Sequence, residues 1–86
     1  MVNVSELINR DLKHFWHPCT QMKDFETCPP LLIEKAEGSY LYTDKGPLID
    51  AISSWWCKSL GHGHPRVISA ITAQLNRFEH VITANT

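Results

Sequence analysis

The stretch LLIEKAEGSYLYTDKGPLIDAI, Leu31 to Ile52, decides the fold. Leu31 to Glu37 reads as a first strand and Gly38-Ser39 as a turn. Tyr40 to Thr43 reads as a second strand, rich in residues that suit a half-buried pleated surface. Asp44-Lys45-Gly46 supplies a second turn, with a glycine available for positive φ. Leu48 to Ile52 is the third run. Connections this short force antiparallel pairing, because a parallel return needs a crossover of about a dozen residues or more. The stretch therefore predicts a three-stranded antiparallel meander over about residues 31–53.

Helices are expected on both sides of the meander. Upstream, Asn3 and Glu6 have capping-box spacing, and Val4, Leu7, Ile8 and Leu12 form one apolar stripe, which predicts a helix from about Val4 to Lys13. Residues 14–30 read as irregular but carry Phe15, Trp16 and Phe25, aromatic bulk that needs cover. Downstream, Ser53 to Gly63 is a second aromatic, glycine-containing passage. Pro65 then suits a first helical position, and Val67, Ile68, Ile71, Leu75 and Phe78 share one face of a helix predicted over about 65–79. Val81-Ile82-Thr83 is a further β-like run, and the lack of any terminator after it reads as a chain cut from a longer one. The fold class expected is α+β.

Composition narrows the function. The chain has 86 residues, 8 Lys+Arg against 9 Asp+Glu, and a net charge of -1. No basic field exists to neutralise phosphates, so nucleic acid is not an expected partner. No stretch approaches the roughly 20 apolar residues of a membrane helix, so a membrane is not expected either. The first residues lack the apolar core of a secretory signal, and Cys19, Cys28 and Cys57 are an odd number without a CxxC pair. Both points lead to an expectation of a cytoplasmic protein with reduced thiols.

The residues themselves assemble no complete catalytic set. Adjacent Trp55-Trp56, if extended, point to opposite sides, so both are core or one lines a cavity; the flanking serines and glycines favour a pocket. His14, His17, His62 and His64 with Cys19 and Cys57 match no structural zinc spacing, and the expected role of His62 and His64 is to cap backbone groups at a helix entrance. Cys19 or Cys57 with His17 lacks a third orienting group for nucleophilic catalysis. Asp44 and Asp50 are expected to make local hydrogen bonds. Gly61-His62-Gly63-His64 is no phosphate loop, and Lys45 and Lys58 read as solvated amines.

Taken in order, Phe15-Trp16-His17-Pro18-Cys19-Thr20-Gln21-Met22, Tyr42-Thr43-Asp44-Lys45-Gly46, Ser53-Ser54-Trp55-Trp56 and Gly61-His62-Gly63-His64-Pro65 resemble the N-terminal segment of class-III aminotransferases. The Trp-His-Pro segment and the Ser-Ser-Trp-Trp tetrad are similar to the biotin-synthesis branch, the adenosylmethionine-8-amino-7-oxononanoate aminotransferases. The resemblance implies a fragment of the small domain of a fold-type I enzyme that uses pyridoxal 5'-phosphate and works as a homodimer. It implies amino transfer from S-adenosylmethionine to 8-amino-7-oxononanoate, giving 7,8-diaminononanoate. It also implies that Trp55 contacts the keto acid and Trp56 forms pocket wall beside it. Cys19 stands where some members carry a tyrosine; a thiol cannot stack on an adenine ring, and Cys19 is expected to line the pocket as a small apolar group. The cofactor-binding lysine and aspartate of the family are expected beyond Thr86, so the 86 residues alone are expected to bind no cofactor and to be inactive. Two alternatives stand beside this reading: another class-III enzyme acting on an ω-amino acid, and a small non-catalytic interaction module.

Overall fold

The structure, a computed structural model, describes residues 3–84. The order is an N-terminal helix Val4–His14, a 3₁₀ helix Met22–Glu26, strands β1 (Ile33–Glu37), β2 (Tyr40–Thr43) and β3 (Gly46–Ile49), a tight turn at Ser53–Trp56, and a C-terminal helix Pro65–Leu75. The strands form one antiparallel sheet in the order β1-β2-β3, so the α+β class and the meander hold.

Local chemistry explains each element. The Glu6 backbone N–H donates to the Asn3 side chain at 3.1 Å, while Lys13 and His14 sit in the last turn, where the helix dipole favours positive charge. Glu37 pairs with Tyr40 across a two-residue hairpin, and Gly38 takes the required φ of 58°. Thr43 pairs with Gly46 around Asp44-Lys45, and Gly46 takes a φ of 117°. At the last helix the His64 side chain accepts from the Arg66 backbone N–H at 3.3 Å, and Pro65 occupies the first turn.

Several boundaries differ from expectation. β1 begins at Ile33, two residues past the predicted Leu31, although Asp44 N–H still donates to the Leu32 carbonyl. β3 runs Gly46–Ile49 because the strand starts directly at the turn glycine; Asp50 then leaves the sheet and its carboxylate binds the following turn. The C-terminal helix ends at Leu75, not near 79, where the Arg77 N–H turns to the Gln74 carbonyl three residues back, so that Arg77 and Phe78 share one acceptor. Met22–Glu26 was expected to be irregular; Gln21 caps it through Lys23 N–H, and Thr27 closes it on Asp24. Val81-Ile82-Thr83 does not take strand form. Two-residue loops and a run of mixed polarity fix the sheet, whereas helix ends depend on which carbonyl the last amides find.

Packing is open. Among the described residues Thr43 alone is buried, and no hydrophobic side chain is. The accessible surface is 7770 Å², against about 5,200 Å² for a compact chain of this mass. The radius of gyration is 16.0 Å, against about 12 Å for a compact domain of this length. Val67, Ile68, Ile71 and Leu75, the apolar face of the C-terminal helix, and Phe78 just beyond it are all exposed. His17 provides one local anchor: it pairs with Asp11 and lies edge-on to both the Phe15 and Phe25 rings.

Candidate functional site

The passage that follows β3 is the least ordinary backbone in the chain. Ser53, Ser54, Trp55 and Trp56 have φ of 50°, 48°, 73° and 64°. Four successive non-glycine residues thus form a left-handed turn, closed by Trp56 N–H to the Ile52 carbonyl and Cys57 N–H to the Ser53 carbonyl, both at 2.8 Å. Left-handed φ costs an L-residue roughly 1–2 kcal/mol, and a bulky side chain there is a genuine outlier. Such conformations persist only where the surroundings over-determine them, and they cluster at functional sites. The extended condition under which Trp55 and Trp56 would point to opposite sides is not met: the two indoles leave a left-handed turn.

The surroundings are specific. Asp50 Oδ1 accepts from Ser54 N–H at 2.9 Å, and Asp50 Oδ2 accepts from the Ser54 hydroxyl at 2.7 Å. His62 Nε2 also lies 2.7 Å from Oδ2 and donates to it, since an ionised carboxylate only accepts. His62 is held in place by its backbone, which exchanges two hydrogen bonds with Gly38 at 2.8 and 3.0 Å. The Ser54 N–H foremost, then His62 and the Ser54 hydroxyl, hold the Asp50 carboxyl at about 2, below its ordinary 3.8. The Asp50 and His62 side chains retain 6% and 12% of their accessible surface.

This Asp-His-Ser group is not a nucleophilic triad. There, aspartate and serine must bond opposite imidazole nitrogens. Here both approach Nε2, with the Ser54 oxygen at 3.4 Å, and the hydroxyl proton goes to the carboxylate. The arrangement holds the turn and has no geometry for proton relay.

The anticipated site residues fall in two places. Trp55 and Trp56 stand on the turn, 58% and 81% exposed. Cys57 closes beside them, its thiol donating to the Trp55 carbonyl at 3.3 Å. Cys19 lies in the loop before the 3₁₀ helix, exposed, with a φ of 51°, and among the described residues no hydrogen bond or ring contact joins it to either tryptophan. His64 caps a backbone amide as expected, but His62 does not; its ring binds Asp50 instead. Local hydrogen bonding by Asp50 to Ser54 agrees with expectation, while its link to His62, twelve residues on, left no local sequence signal. Among the described residues no three His, Cys, Asp or Glu side chains converge as metal ligands.

A cleft of about 150 Å³ opens beside this cluster, lined among others by Ser39, Ser53, Lys58, Ser59 and His62. It is smaller than the roughly 300–1,000 Å³ of pockets that enclose small molecules. Lys45 stands apart, in the β2–β3 turn.

Comparison with known proteins gives these features a context. Residues 21–86 match the family model "Aminotransferase class-III". The chain is 38% identical over 76 residues to the adenosylmethionine-8-amino-7-oxononanoate aminotransferase of Helicobacter pylori, covering 87% of this chain and 17% of that protein. The crystal structure of the enzyme of the same name from Methanocaldococcus jannaschii superposes with a TM-score of 0.78 at 35% identity, over 98% of this chain and 19% of that one. A thermostable (S)-enantioselective omega-transaminase from Thermomicrobium roseum superposes at 0.80 with 27% identity, over 99% and 19%. The chain thus spans under a fifth of the length of these relatives. With the family model matched across three quarters of the sequence and the helix–meander–helix order shared with solved transaminases, the chain belongs to the class-III aminotransferase family.

Proposed function

We propose that this chain serves as the N-terminal part of a pyridoxal-phosphate-dependent transaminase of biotin synthesis, moving an amino group from S-adenosylmethionine to 8-amino-7-oxononanoate. The observation that carries the reading is the left-handed turn with two outward indoles, Trp55 and Trp56. Flat, rigid aromatic surface of this kind suits the long aliphatic chain of a keto acid. Relatives in several organisms that share 36–45% identity with this chain carry the name of that activity, which supports the same reading.

In this reading the chain supplies substrate wall and the cofactor supplies the electron sink. Trp55 contacts the keto acid, Trp56 extends the wall, and Cys19 adds a small apolar group where a second segment approaches. The open apolar face of the C-terminal helix packs against further polypeptide of a cytoplasmic homodimer. The likeness to the Thermomicrobium roseum enzyme favours a second reading, an omega-transaminase of the same family.

The deciding experiment assays the full-length product with the keto acid and with S-adenosylmethionine or an ω-amino acid as donor. Turnover with the keto acid, and a Trp55→Ala variant whose KM for it rises on the order of tenfold, support the first reading. Turnover of ω-amino acids with no keto-acid activity transfers the assignment to the second.

A further inference from the structure

We propose that Asp50, Ser54 and His62 are positioning residues for the substrate wall: they clamp the left-handed turn and so set where the Trp55 and Trp56 indoles stand. This rests on the reading of those tryptophans as substrate wall. The inference has four independent supports. All four turn residues, none of them glycine, have positive φ, so the turn's own two closing backbone bonds work against the intrinsic preference of its residues. Both oxygens of one carboxylate are committed to it, one to the Ser54 N–H and one to the Ser54 hydroxyl. The same carboxylate is tied to His62, which is bonded through its backbone to Gly38 at the β1–β2 hairpin, so the turn is referenced to the sheet. The indoles themselves are largely exposed and make no ring contact among the described residues, so their packing does not fix the turn.

The chemistry makes the carboxylate hard to replace. Asp50 receives three donors, and only an ionised carboxylate offers acceptors alone. In Asp50→Asn one of the two acceptors becomes an NH₂: at the Oδ1 position it meets the Ser54 N–H, donor against donor, and at the Oδ2 position it requires both the Ser54 hydroxyl and His62 Nε2 to give up their role as donors. Among the residues that line the adjoining cleft, Lys58 is the further charged one.

The test uses the full-length holoenzyme in a Trp16→Phe background, which leaves the paired indoles as the reporters within this segment. Asp50→Asn is expected to raise the keto-acid KM about tenfold, the size of a lost substrate contact, with kcat within about threefold. It is also expected to weaken the near-ultraviolet circular dichroism of the indole pair while cofactor content stays at the parent level. Adding Ser53→Gly, which makes the left-handed φ inexpensive without restoring the carboxylate, should recover part of both signals. An unchanged cofactor content and a melting temperature still above that of the assay in Asp50→Asn distinguish this from a residue that matters only for global stability. If Asp50→Asn fails to fold, Ser54→Ala and His62→Gln decide: graded losses in KM and dichroism support the clamp, and parent values for both overturn it. A Trp55→Ala variant separates the two layers. If it raises KM while Asp50→Asn changes neither KM nor dichroism, the clamp is wrong and the substrate wall stands; if Trp55→Ala leaves KM unchanged, the wall itself is wrong.

Discussion

Expressed alone, the 86-residue polypeptide should not unfold as a cooperative unit. Its fully extended chain exposes about 14,200 Å² at this mass, and a compact fold would bury about 9,000 Å² of that. The observed accessible surface of 7770 Å² leaves about 2,600 Å² of that burial unmade. If about 57% of that shortfall is apolar, as for ordinary protein surface, it represents on the order of 40 kcal/mol at ~25 cal/mol/Å². Even half of this exceeds the roughly 5–15 kcal/mol net stability of a small domain. The assay is urea titration followed by far-ultraviolet circular dichroism, with sedimentation and binding of a hydrophobic dye alongside. The expected result is a broad, sloping loss of signal, strong dye binding and association at micromolar concentration. A single sharp transition with an m-value near 1 kcal/mol/M or above, from a monomer that binds little dye, would refute the reasoning. It would mean that the open faces close on one another.

Three further outcomes follow from individual residues. Ile71, 50% exposed on the open helix face, should tolerate Ile71→Lys in the isolated chain within about 0.5 kcal/mol. With that face packed against further polypeptide, as proposed, the same change should lower the stability of the full-length protein by at least about 2 kcal/mol, read by thermal melting. Gly61→Ala should lower the melting temperature of the full-length protein by several degrees, since φ is +79° and the added Cβ would stand 3.2 Å from the Gly38 backbone; an unchanged melt contradicts that geometry. For Asp50 the sign is fixed by its depressed pKa. A carboxyl held at about 2 when folded, against an ordinary 3.8, stabilises fully above the ordinary value and loses that contribution as pH falls toward 2. The stability gap between parent and Asp50→Asn, from denaturant midpoints, should therefore be constant above about pH 5 and shrink below it. A gap of constant size across that acid range counts against the hydrogen-bonded carboxylate.

The sequence alone determined the elements whose signals are local. Two-residue turns set the register of the meander, Asn3 capped its helix, and His64-Pro65 opened the last one, because each interaction spans four residues or fewer. The tetrad Ser53 to Trp56 was legible as an unusual feature, and resemblance carries its proposed role as substrate wall, but its shape was not legible. Nothing in four ordinary L-residues asks for left-handed backbone; intrinsic preference argues against it. That conformation was decided by the tertiary structure, which brings the imidazole of His62 to a carboxylate twelve residues earlier through a hairpin that only exists once the strands pair. Local propensity could place the tryptophans in a loop; two local hydrogen bonds from Ser54 and one long-range bond from His62, acting together on one aspartate, tie that loop to the sheet.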